Sequence, residues 1–118
     1  DCSENTIKGN LVLSNDYGIY LFGCSNNLIF KNYLIDNFIN NSFDNSINQW
    51  DNGTLGNYWD DYQGSDLDDD GIGDTPYIIP GMGGRQDNYP IWDDGVETPL
   101  RLIDEVISMV DESLKYIN

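Results

Sequence analysis

The residues Cys2-Ser3-Glu4-Asn5-Thr6-Ile7-Lys8-Gly9-Asn10 return 22 positions later as Cys24-Ser25-Asn26-Asn27-Leu28-Ile29-Phe30-Lys31-Asn32. Cys, Ser, Asn, Ile and Asn keep their places, and Asn15 repeats at Asn37, so six of the 14 positions from 2 to 15 match. A fixed period in the low twenties marks a solenoid in which each repeat is one coil. A looser third coil follows: Asn48 and Trp50 lie 21 residues after Asn27 and Ile29. Asn40-Asn41-Ser42-Phe43 takes the place of Tyr17-Gly18-Ile19-Tyr20 once one residue is deleted.

Within each coil the apolar runs are short, such as Leu11-Val12-Leu13, Ile19-Tyr20-Leu21 and Leu28-Ile29-Phe30, with Asn, Ser, Asp or Gly between them. That pattern specifies short strands and turns, not helices. Asn tolerates left-handed turn geometry, and identical Asn side chains on successive coils can hydrogen-bond in a ladder. Period and Asn spacing together predict a parallel β-helix. Stacking at about 4.8 Å per coil would place Ile7 over Ile29 as one row of the core.

The 118 residues fit a single domain. At 39% hydrophobic and 13% aromatic the chain is too apolar for disorder yet poor for a compact sphere, which points to an elongated shape. Five Lys and Arg against 21 Asp and Glu give a net charge of -16, a surface that repels nucleic acid and anionic membranes. With no His, the commonest general base and the usual copper and zinc ligand are missing. No apolar run is long enough to span a membrane. Asp1-Cys2-Ser3 begins inside a repeat without an initiator Met, so the chain reads as a piece of a longer protein whose targeting signal lies upstream.

Three stretches follow: coils over 1–50, a capping segment over 51–96, and a C-terminal helix over 97–118. A solenoid end exposes strand edges and core, and Trp50, Tyr58, Trp59, Tyr62, Tyr77, Tyr89 and Trp92 suit an irregular cover. In the last stretch Thr98 serves as N-cap and Pro99 suits the first turn. Leu100, Ile103, Ile107, Val110, Leu114 and Ile117 form the apolar stripe of an amphipathic helix. This stripe can close on the cap or pair with a second copy, and the uncovered edge from Asp1 to Leu13 is a second route to a homo-oligomer.

The run from Asp66 to Asp74 alternates carboxylates, then Gly, then one more carboxylate, as a calcium loop requires. Asp66, Asp68 and Asp70 supply converging side chains, Gly71 the turn, Ile72 a carbonyl and Asp74 a final oxygen. Tyr77 stands where an EF-hand has its bidentate Glu, so Asp60, Asp61, Asp87 or water would complete the shell. The expected cofactor is calcium.

Cys2 and Cys24 fall on equivalent positions of adjacent coils. Parallel side chains make a bridge awkward, so a buried thiol pair is the preferred reading over a disulfide, with a two-thiol copper site a third. Asn40-Asn41-Ser42 and Asn52-Gly53-Thr54 match the glycosylation sequon. Asp60-Asp61 and Asp93-Asp94 could in principle act as acid and base on a glycoside, but adjacent carboxylates rarely share a cleft. Trp50, Trp59 and Tyr62 are the candidate platform for stacking a sugar, against the commoner fate of packing in the cap.

The runs Gly56-Asn57-Tyr58-Trp59-Asp60-Asp61-Tyr62, Asp70-Gly71-Ile72-Gly73-Asp74-Thr75-Pro76-Tyr77 and Asp87-Asn88-Tyr89-Pro90 resemble the C-terminal end of NosD-type proteins. These are right-handed parallel β-helix proteins, also described as carbohydrate-binding and sugar-hydrolysis repeats and common in archaeal surface proteins. The resemblance covers about residues 2 to 92. It implies an all-β, right-handed parallel β-helix with an aromatic, Asp-rich cap. The combined expectation is a calcium-stabilised, non-catalytic scaffold or glycan-binding module outside the cell. A fragment of a polysaccharide lyase or glycoside hydrolase is the first alternative, and a periplasmic copper-maturation factor the second.

Overall fold

The structure is a computed structural model that describes residues 2–92, and over these it is all-β, with no helix. Strands β1 (Thr6–Lys8), β2 (Leu11–Leu13) and β3 (Tyr17–Leu21) make one coil, and β4 (Leu28–Phe30), β5 (Tyr33–Ile35) and β6 (Asn40–Asp44) make the next. Pairing is parallel and coil on coil, β1 with β4, β2 with β5 and β3 with β6. Ile7 lies beside Ile29 and Val12 beside Leu34, the 22-residue spacing of the sequence. Tyr17 pairs with Asn40 and Tyr20 with Phe43, which is the one-residue offset read from the third run.

Each coil turns three corners, and the residue immediately before each ladder Asn takes positive φ: Glu4, Gly9 and Ser14 in one coil, Asn26, Lys31 and Asp36 in the next. The expectation that the ladder Asn residues carry the left-handed geometry is thus shifted by one position. A left-handed residue turns the chain so that the following side chain points into the stack, and non-glycine residues accept this at a cost of about 1–2 kcal/mol each.

Ile29 and Leu34 are completely buried, and Leu21, Trp50, Trp59 and Ile79 join them in the core, with Ile7, Val12 and Ile19 packed against it. Full burial of such side chains contributes about 1.5–3 kcal/mol apiece. The row led by Ile19 breaks at its partner Ser42, whose buried hydroxyl has no hydrogen-bond partner.

The third coil is completed by β7 (Tyr58–Trp59), which adds to β5 with Tyr33 beside Tyr58. The following segment folds over this end. β8 (Tyr77–Ile78) and β9 (Gln86–Asp87) pair antiparallel, and Ile72 bridges Ile91. Gly56 N donates to Tyr89 O and Ile91 N to Asn57 O, so residues 86–92 run along the last coil. The helix expected over 97–118, and residues 93–96 of the expected cap, lie outside the described residues.

Candidate functional site

Three Asn ladders run through the coils, all in one direction. Asn5 donates through its backbone N and Nδ2 to Asn27 Oδ1, and Asn27 does the same to Asn48 Oδ1. Asn10 donates in this way to Asn32, and Asn32 to Asn57. Asn15 donates likewise to Asn37, which passes its Nδ2 to Asn41 Oδ1. The second hydrogen of Asn27, Asn32 and Asn37 goes back to a carbonyl of the preceding coil, those of Cys2, Ile7 and Val12. An amide can continue such a chain because it both accepts and donates.

Each ladder stops on a carboxylate, which as an anion only accepts. Asn48 Nδ2 donates to Asp44 Oδ1 at 3.0 Å, and Asn41 Nδ2 to Asp60 Oδ1 and Asp61 Oδ1 at 2.7 and 3.0 Å. In the central ladder Asp87 sits where the next Asn would, accepting from Asn57 N at 2.7 Å and Asn57 Nδ2 at 3.5 Å. Trp50 Nε1 donates to Asp44 Oδ2 at 2.8 Å and Trp59 Nε1 to Asp87 Oδ2 at 2.9 Å, so two buried anions also anchor the two buried indoles. Gly56 lies against Asp87 so closely that a Cβ would collide with the carboxylate.

This geometry corrects several expectations. Trp50 and Trp59 are 1% and 2% exposed, held among the core side chains by their Nε1 bonds, so they present no face to a sugar. Trp59 stacks instead on Tyr77, with ring centroids 4.0 Å apart. Tyr62 is half-buried, its hydroxyl donating to Thr75 O. Asp60, Asp61 and Asp87, considered as completing a metal shell, serve as ladder ends. Asp60 Oδ2 also accepts from Asp36 N and Asp61 from Tyr77 OH, so both are occupied within their cleft of about 450 Å3. Burial first, then the Asp61 charge, pushes the Tyr77 hydroxyl well above its ordinary range, which keeps it a donor. Cys2 and Cys24 form a disulfide with Cα atoms 4.9 Å apart, not the expected thiol pair: the close approach of stacked coils brings equivalent residues within bridging range.

In the acidic turn, carboxylate oxygens of Asp66, Asp68 and Asp74 come within 4.8 Å of one another. Asp70 is outside that trio and caps Ile72 N at 2.9 Å, while Ile72 faces Ile91 across a bridge whose hydrogen bonds are made by Gly71 O and Gly73 N. Asp66 accepts from Asp70 N and Gly71 N, and Asp74 from Leu67 N at 2.7 Å. Burial acts most strongly on Asp66 and raises it, but hydrogen bonds from Gly71, Asp68 and Asp70 together hold it below the usual carboxylate range. Asp68 is pushed up, first by its hydrogen bond to Asp66, then by burial and the neighbouring charges. The sequence made this turn legible, whereas the role of Asp44 carried no signal in it.

Residues 1–64 match the model of a protein family described as periplasmic copper-binding protein (NosD). A protein of Pseudomonas aeruginosa named probable ABC transporter binding protein NosD is 41% identical over 75 residues, covering 62% of this chain and 18% of that relative. The chain thus spans under a fifth of the length of the curated relative it matches. No solved structure matches it. The family description names copper, and this overturns the expectation of calcium as cofactor. The donors present here do not fit copper either. There is no His in the chain, both cysteine sulfurs are spent in the disulfide, and Met82 is 88% exposed. The described clusters offer hard carboxylate oxygen in place of the imidazole and sulfur that copper favours.

Proposed function

Since the chain belongs to the NosD family, we propose that it forms the closing end of a right-handed parallel β-helix in a protein of that family, acting as a non-catalytic scaffold on the outer side of the cytoplasmic membrane. The single observation that carries this reading is the direction of the ladders: all three hand donors toward residues 44–87 and end there on carboxylates. Among the described residues, the strands up to Tyr58–Trp59 supply the coils, and the segment through β8, β9 and Ile91 lies over the last of them. The disulfide suits an oxidising compartment, and among the described residues no helix is long and apolar enough to cross a membrane. Copper handling is not assigned to the described residues, because their donors are wrong for the metal. Glycan binding remains a second reading, favoured by the half-exposed Tyr20 ring stacked on Phe43 at 4.6 Å with Tyr17 at its edge.

The test is to replace residues 51–92 of the full-length parent with a Gly-Ser linker. A closing role predicts an aggregated parent with a lowered melting temperature. A parent that stays monomeric with unchanged melting overturns it.

A further inference from the structure

We propose that Asn52 is a site of N-linked glycosylation, and that of the two sequons in the chain only this one can be modified in the folded protein. In Asn40-Asn41-Ser42 the serine is fully buried on β6, which pairs with β3, so a transferase cannot read its hydroxyl. Asn52-Gly53-Thr54 lies on the exposed turn that lengthens the third coil, between buried Trp50 and buried Gly56. Gly53 there has a φ of 93° and open space around it. Asn52 Oδ1 accepts from Thr54 N, Thr54 Oγ1 and Leu55 N at 2.9, 3.0 and 2.8 Å, while Nδ2 has no partner among the described residues. The carboxamide is therefore held by its oxygen with its nitrogen presented outward. Donors on Oδ1 stabilise the negative charge that gathers there as Nδ2 gives up a proton. Beside the turn is a shallow cleft of about 400 Å3 lined by Thr54, Asp74, Asn88 and Tyr89, able to seat the first sugar.

The co-substrate class is a glycan joined through a diphosphate to a polyprenyl lipid. Asn52 Nδ2 forms a bond to the anomeric carbon, the bond from that carbon to the diphosphate oxygen breaks, the lipid diphosphate leaves, and the Nδ2 proton passes to the transferase. No oxidation or reduction is involved. The inference stands apart from the scaffold reading, since it depends only on the sequon and its exposure.

The experiment incubates the folded, disulfide-bonded chain with a purified single-subunit oligosaccharyltransferase and a polyprenyl-diphosphate-linked glycan. A free peptide spanning residues 50–56 is the positive control, and intact mass is the readout. One glycan per chain is expected, lost completely in Asn52→Gln and in Thr54→Ala and kept in Asn40→Gln. Circular dichroism of each variant confirms folding. An unmodified folded chain beside a modified peptide overturns the proposal, and so does a glycan that survives Asn52→Gln.

Discussion

Asp87 is fully buried, and every hydrogen-bond partner it has is an N–H: Asn57 N and Nδ2, Trp59 Nε1 and Tyr89 N. Burial pushes its carboxyl up to about 6, against the lowering by these donors, and Asp51 adds to the rise. A folded value above the ordinary 3.8 means that the native state holds a proton the unfolded chain has released. The contribution of this group is fully present below about pH 4 and is lost as pH climbs to about 6, a change on the order of 3 kcal/mol. Urea unfolding at pH 4, 5, 6 and 7 should show the stability of the wild type falling relative to Asp87→Asn over that interval; a constant difference contradicts the assignment. Asp87→Leu strands three donors at once, Asn57 N, Trp59 Nε1 and Tyr89 N, and should cost more than about 3 kcal/mol at pH 7. None of this was legible at the residue level. Asp87 has no repeat partner in the sequence, because a carboxylate replaces the amide only where a ladder ends.

Among the elements, the ladders concentrate their energy where they are buried. Asn32 is completely buried and its side chain makes five hydrogen bonds, to Asn10 N and Nδ2, Asn57 Oδ1, Ile7 O and Phe30 O, whereas Asn15 is exposed. Asn32→Ala should therefore destabilise by about 2–4 kcal/mol and Asn15→Ala by under about 1, read as the shift in denaturation midpoint at constant slope. The disulfide closes a 22-residue loop, so its reduction should remove about 3 kcal/mol and lower the melting temperature. Strand positions and register were readable because a 22-residue period fixes which residues stack. The corners were misread by one place, since Glu4, Ser14 and Lys31 carry no preference for left-handed geometry. They are driven there by the Asn that follows each of them, which must point inward.

Taken whole, the molecule carries a net charge of -16 over a modest core. Self-repulsion of that size should be relieved by screening, so the melting temperature should rise steadily between 0.05 and 0.5 M NaCl, roughly where the Debye length falls below 5 Å. Calorimetric titration of the oxidised chain with Cu(I) should show no stoichiometric site. The reduced chain, with both thiols freed, serves as the control that binding would have been seen. The all-β class was visible in the residue pattern. The calcium expectation failed there, because an Asp-rich turn looks the same whether its carboxylates face an ion or cap their own backbone amides, as Asp66, Asp70 and Asp74 do here.

The one-way ladders also restrict how such a protein can lengthen. A duplicated unit of 22 residues spliced in after Leu21 would meet an open amide oxygen on one flank and a waiting N–H on the other, and the stack would close around it unchanged. The same unit grafted beyond Trp59 would set new carbonyl oxygens against Asp44 and Asp87, lone pair against lone pair. The polarity of the ladders therefore admits added coils ahead of the closure and opposes them at the carboxylates that end it.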